Sequence, residues 1–199
     1  MFADKKEIET VLSALAEQLQ SQGVNRLEIV VCGGAALNIL GFVKRTTQDV
    51  DLIAYIDEGK DGVTVITKAD PLKPELIIAA KKVQKDFNLP DKWINAGPAV
   101  VVDLGLPHGL MDRVETRTYG TNLVAHFLSR LDQIHFKVYA TVDQSGGKHL
   151  DDLMALSPTS EEIEQASRWS MSQDVSEGYK MVLKDMLTQI GFANVADKL

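Results

Sequence analysis

The sequence predicts an α/β fold, a mixed sheet flanked by helices with a helical C-terminal part. Three observations lead there. Two short, β-branched apolar runs, Ile29-Val30-Val31-Cys32 and Val50-Asp51-Leu52-Ile53, lie on either side of a segment with helical spacing at residues 35–40. Residues 113–119 alternate and residues 123–128 are apolar, which reads as a hairpin turning at Tyr119-Gly120-Thr121-Asn122. From Leu131 onward the pattern is helical. The expected organisation is a core with an N-terminal helix over residues 1–129, and a helical part over 130–199 packed on it.

Taken in order, residues 4–22 form an amphipathic helix with Ile8, Val11, Leu12, Leu15 and Leu19 on one stripe and Gly23 past its end. The stripe covers the sheet. Ile29 to Cys32 is a buried strand closed by Gly33-Gly34, and a short helix and the polar loop Lys44-Arg45-Thr46-Thr47-Gln48 follow. Asp49 to Ile56 is the second strand, residues 57–62 a polar turn, and residues 63–66 a third, short strand. Pro74 opens a helix over 74–87. The apolar run Ala99-Val100-Val101-Val102-Asp103 is expected as another buried strand. Trp93 and Asn95 read either as lining a site or as a core Trp with a turn Asn. In the C-terminal part, helices are expected over 131–140, 149–156, from Pro158 with Thr159 or Ser160 as cap, and over 175–190 with Gly191 at the close.

The chemistry concentrates in the second strand. Side chains alternate along a strand, so Asp49 and Asp51 are expected on one face with Cα atoms about 6.5 to 7 Å apart. Two carboxylates sharing a face repel unless a cation or water reaches both. Mg²⁺, with Mn²⁺ as substitute, suits such a pair, because it takes oxygen ligands and is held by one or two carboxylates plus substrate phosphates. Upstream, Gly33 and Gly34 let the backbone approach a ligand closely at the start of a helix. A triphosphate lying between the glycines and a metal on Asp49 and Asp51 is the arrangement of nucleotidyl transfer.

The order Gly-Gly, short helix, basic-Thr loop and Asp-x-Asp resembles the signature of the DNA polymerase β-like nucleotidyltransferase superfamily, with Arg45-Thr46-Thr47-Gln48-Asp49-Val50-Asp51-Leu52 as its most specific part. It is similar in particular to small bacterial nucleotidyltransferase-like proteins related to AbiEii-type toxins. Fourteen residues separate Gly34 from Asp49, slightly more than is usual there. The resemblance implies a nucleotidyltransferase-type sheet and transfer of an NMP from an NTP to an acceptor that is an RNA, a protein or a small molecule. It also implies a cognate antitoxin-like partner. The implied roles are metal for Asp49 and Asp51, and nucleotide for Gly33, Gly34, Arg45 and Thr46.

Asp103 is then a candidate third carboxylate on a neighbouring strand, or simply an Asp at a strand end before Gly105 and Pro107. Lys137, in an otherwise apolar helix, and Asp152, after Gly146-Gly147-Lys148-His149, follow the toxin-type order of a lysine helix, a loop and an Asp-Leu pair. The resemblance implies phosphate contact for Lys137 and an acid or base for Asp152. The plain alternative is a salt bridge between two packed helices, and a third reading is both, structural without nucleotide and catalytic with it. A second functional reading is a catalytically inactive nucleotide- or partner-binding module on the same fold.

Bulk properties limit the remainder. Of 199 residues 45% are hydrophobic and 25% charged, as in an ordinary soluble globular protein. The absence of a long apolar segment and of a signal-type N-terminus predicts a cytoplasmic protein with no membrane partner. A net charge of −7 argues against non-specific DNA binding, which rests on Lys and Arg. Cys32, the single cysteine, reads as a small hydrophobe in the strand, and His108, His126 and His135 show no metal-ligand spacing.

Overall fold

The computed structural model describes residues 1–59, 62–144 and 147–199. Its elements in chain order begin with α1 (Lys5–Ser21), β1 (Leu27–Cys32), α2 (Gly33–Ile39), β2 (Val50–Glu58), β3 (Thr64–Lys68), α3 (Pro74–Phe87) and β4 (Ile94–Asn95). A helical turn α4 (Val101–Leu104), β5 (Glu115–Tyr119) and β6 (Leu123–Phe127) follow. The chain then runs through α5 (Arg130–Asp143), α6 (Lys148–Ala155), α7 (Ser160–Gln173), α8 (Glu177–Gln189) and α9 (Ala193–Ala196). It divides into two compact units, Met1–Asp103 with Met111–Leu128, and Leu104–Leu110 with Ser129–Leu199. Among the described residues, no helix is long and apolar enough to cross a membrane.

The first unit is built on a mixed sheet of order β3-β2-β1-β6-β5, with β4 added to β2. β1 lies in the middle because its side chains from Ile29 to Cys32 are apolar and buried on both faces, as a doubly covered strand requires. It pairs antiparallel with β2, Ile29 opposite Tyr55, and parallel with β6, Ile29 opposite Ala125. α1 starts at Asp4, whose carboxylate accepts the Glu7 N–H, and buries Ile8, Val11, Leu12, Leu15 and Leu19 in the core with Ile29, Val31 and Leu52. Each such side chain contributes about 1.5 to 3 kcal/mol on burial, against about 1 kcal/mol for the cap, so the stripe and not the cap fixes this helix. α3 opens on Pro74 in its first turn and closes on Asn88 in the left-handed conformation.

Two expectations fail here. Residues 99–103 are not a strand: a 3₁₀ turn over Gly97–Val100 runs directly into α4. Pro98 fixes a helical φ in the first turn and has no N–H to give a ladder, and the Ala99 N–H returns to Ala96 O at 3.0 Å. The apolar run is also only half buried, with Ala99 and Val101 inside while Val100 and Leu104 are about half exposed. The strand that joins β2 instead is the short β4, with Val50 opposite Ile94 and Asp51 opposite Asn95. The polar turn expected at 57–62 is shortened as well, because β2 continues through Asp57 and Glu58 opposite Val65 and Thr64; Lys60 and Asp61 lie outside the described residues.

The second unit is helical. Ser129 caps α5 through the Asp132 N–H, and Ser176 caps α8. Thr159 and Glu162 form the full capping box of α7. Trp169 of α7 stacks on Phe136 of α5, with ring centroids 5.4 Å apart and planes 14° from parallel. The segment Leu104–Leu110 belongs to this unit through Gly105, whose carbonyl accepts from Trp169 Nε1 and Gln173 Nε2.

Candidate functional site

The sequence around Gly33 folds so that three separate stretches meet in the first unit. β1 ends at Cys32, which stands opposite Asp51 in the antiparallel register. Gly33 follows with φ +69°, a conformation that a residue with a side chain adopts only at a cost. A Cβ at Gly33 would lie 2.5 Å from Asp51 Oδ2, so the glycine is what admits the carboxylate. A Cβ at Gly34 would lie 2.6 Å from Thr47 Oγ1 and 3.2 Å from a terminal nitrogen of Arg45. The glycine pair thus makes room for the chain's own carboxylate, hydroxyl and guanidinium.

The loop carrying Arg45 and Thr47 is held from the other side by the N-terminus. Phe2 and Thr47 exchange backbone hydrogen bonds of 2.7 and 3.0 Å, and the Phe2 ring packs edge-on against buried Trp93, centroids 6.2 Å apart. Arg45 donates to the Thr46 carbonyl at 2.9 Å. Thr46 itself is exposed, and it is Thr47 that faces Gly34. Buried Asn38, on α2, returns its amide to Gly34 O at 2.9 Å.

Asp51 has a second partner that the sequence places far away. Asn95 Nδ2 donates to Asp51 Oδ1 at 3.1 Å, and Asn95 Oδ1 accepts the Gly97 N–H at 2.9 Å. Asn95 also lines an open cleft of about 600 Å³, whose wall includes Asp49, Asp70, Asp91, Lys92 and Gly97. Asp49 stands one residue before β2 and, like Asp51, is half-buried. Both are acidic oxygen donors partly open to solvent, the donor type a hard divalent cation takes, and of the two it is Asp49 that lines the cleft. Among the described residues, no three His, Cys, Asp or Glu side chains converge to hold a metal by themselves.

Asp103 stands elsewhere, on α4 instead of a strand, in an ion pair with Lys68 at the end of β3; its side chain is 53% exposed. The residue aligned with Asp51 on the neighbouring strand is the neutral Asn95. In the second unit, Lys137 and Asp152 form an ion pair of 2.7 Å between α5 and α6, and their side chains are only 6% and 1% exposed. That is the plain alternative weighed for them. Gly147 caps α6 with φ +63°, and Gly146 lies outside the described residues. His126 bridges Glu28 at 2.8 Å and Thr116 at 2.9 Å across the sheet, His135 bonds the Leu131 carbonyl, and His149 bonds Gln144.

Sequence reasoning singled out Thr46 and not Thr47, the residue that faces Gly34, and left Asn95 undecided. The only signal for Asn95 was the Gly97-Pro98 break behind a short Trp-Ile-Asn run, which marks the end of a brief strand. No protein-family model, curated protein or solved structure matches the chain.

Proposed function

We propose that the chain is a nucleotidyltransferase-type protein that takes up an NTP together with Mg²⁺, Mn²⁺ substituting, and moves the NMP to an acceptor. The observation that carries this reading is the meeting of Gly33, Gly34, Arg45, Thr47 and Asp51 in one corner of the first unit, with Asp49 beside it at a cleft. Asp49 and Asp51 would hold the cation, and Arg45 would balance phosphate charge. The glycines act by letting Asp51 and Arg45 pack close to the end of β1. Bound with the nucleotide, the cation would neutralise charge on the phosphate oxygens as the acceptor oxygen attacks and pyrophosphate leaves. The acceptor is an RNA, a protein hydroxyl or a small molecule, and a toxin setting with an antitoxin-like partner follows the resemblance of the Arg45–Leu52 stretch.

A second reading, nucleotide or partner binding without transfer, has its own support. The candidate bases are engaged: Asp103 by Lys68, and Asp152 by Lys137 in a buried pair. Calorimetric titration of the four NTPs, with Mg²⁺ and with EDTA, tests the site in the native protein and in an Asp49→Asn, Asp51→Asn variant. Metal-dependent binding lost in the variant supports it, and labelled NTP offered with total RNA and protein then separates transfer from binding. No binding of any NTP overturns the assignment.

A further inference from the structure

We propose that Asn95 is a positioning residue that limits the cation site to two carboxylates, so that a divalent cation enters only together with a nucleotide. This rests on the reading of Asp49 and Asp51 as the metal-holding pair. The orientation of the Asn95 amide is fixed by its surroundings. Its oxygen accepts the Gly97 N–H at 2.9 Å, which turns the NH₂ group toward Asp51 Oδ1 at 3.1 Å. The parallel register of β4 on β2 places Asn95 level with Asp51, and Asn95 shares the cleft wall with Asp49. It therefore stands where a third acidic side chain would complete a cation cage.

A carboxylate at this position would keep the Gly97 hydrogen bond. It would also put a second carboxylate against Asp51 Oδ1, and two like charges that close favour uptake of a proton or of a cation between them. Such a site would draw in a cation by itself. The amide does the reverse: it covers one oxygen of Asp51 with an N–H and adds no charge. Two carboxylates hold Mg²⁺ weakly, because the ion gives up its waters reluctantly, and the oxygens that complete its shell must then come from phosphates. The chemistry favours a cation that arrives as its nucleotide complex, and a site without one when no nucleotide is bound.

Water proton relaxation enhancement reads Mn²⁺ bound to protein and distinguishes it from Mn²⁺ bound to nucleotide alone. The native protein, Asn95→Asp and Asn95→Ala are each titrated with Mn²⁺, first alone and then with each of the four NTPs. Circular dichroism checks that each variant is folded. The native protein is expected to show enhancement only with an NTP. Asn95→Asp is expected to show it with Mn²⁺ alone, at least tenfold more tightly than the native protein, while Asn95→Ala, which adds no charge, still requires nucleotide. If Asn95→Asp folds only with Mn²⁺, a rise in its Tm with Mn²⁺ that the native protein lacks reports the same gain. Equal Mn²⁺ uptake without nucleotide by the native protein and Asn95→Asp, or a gain in Asn95→Ala, overturns the inference and leaves the metal site standing. No uptake by any of the three with any NTP overturns both.

Discussion

Two aspartates of this chain are held by a nitrogen at nearly the same distance, with opposite consequences. Asp51, half-buried, accepts from the neutral amide of Asn95 at 3.1 Å; Asp152, buried, accepts from the ammonium of Lys137 at 2.7 Å. The first meets the neutral amide of a residue that lines an open cleft. The second is neutralised within the fold. A buried ion pair is costly to form, and costlier to leave half made, so its members are tied to the integrity of the helices that carry them. On the reading proposed above, it is the half-buried carboxylate, with its amide partner on a cleft wall, that meets the ligand.

The largest effect expected from this contrast comes from Lys137→Met. It removes the ammonium from a buried ion pair and should lower unfolding free energy by about 3 to 5 kcal/mol, read by denaturant titration. The double variant Lys137→Met, Asp152→Leu should recover much of that loss. If Lys137→Met leaves stability unchanged and abolishes NTP binding, the pair belongs to the ligand site and the contrast collapses.

Gly33→Ala comes next. A side chain at a positive φ costs about 1 to 2 kcal/mol, and here the added carbon also strikes the Asp51 carboxylate. Loss of stability and of NTP binding should appear together. Stability loss with full NTP affinity would show that the position of Asp51 is irrelevant to the ligand.

An ion pair nearer the surface gives a smaller, pH-dependent effect. Arg130 holds Glu162 through paired contacts of 2.5 and 3.0 Å, and this guanidinium, with the capping contacts of Thr159, keeps the Glu162 carboxyl below its ordinary value. The folded value is the lower one, so the contribution is complete above the unfolded value of about 4.3 and disappears as pH falls from there through the folded value. At neutral pH, Glu162→Gln should cost up to about 1 kcal/mol, and its difference from the native protein should vanish in acid melts. A difference that persists at low pH would assign the effect to the helix cap instead.

The smallest stability effect is expected for Asp51→Asn, within about 0.5 kcal/mol, because the amide keeps the shape of the carboxylate at a position that is not fully buried. Metal-dependent NTP binding should nevertheless be lost. A large stability change would place Asp51 in the same structural class as Asp152.

Legibility in the sequence followed the range of the forces involved. α1, β1, α3 and the β5–β6 hairpin were readable because a local period or a turn residue decides each: the Ile8 to Leu19 stripe, the apolar run before Gly33, Pro74, and Gly120. Residues 99–103 were misread because an apolar run of that length fits a strand or a helical turn equally well, and Pro98 decides between them. In the site, the Gly33–Asp51 relation was visible as a strand, glycine, strand order. The Asn95–Asp51 bond was not, since it depends on a strand of only two residues joining β2 from far along the chain. Lys137 with Asp152 was legible as a pair, but its burial comes from packing that sequence spacing does not encode.

The middle position of β1 also sets an order of assembly. Ile29 finds Tyr55 on one side and Ala125 on the other. During synthesis the β1–β2 pairing becomes available early, whereas the second edge of β1 waits for a far larger loop to close, and such non-local pairing is slow. Until β6 emerges, β1 presents a bare apolar edge, the kind of surface that recruits strands from other chains. A ribosome-released fragment ending before Leu123 is therefore expected to aggregate more than one ending after Leu128, read by sedimentation.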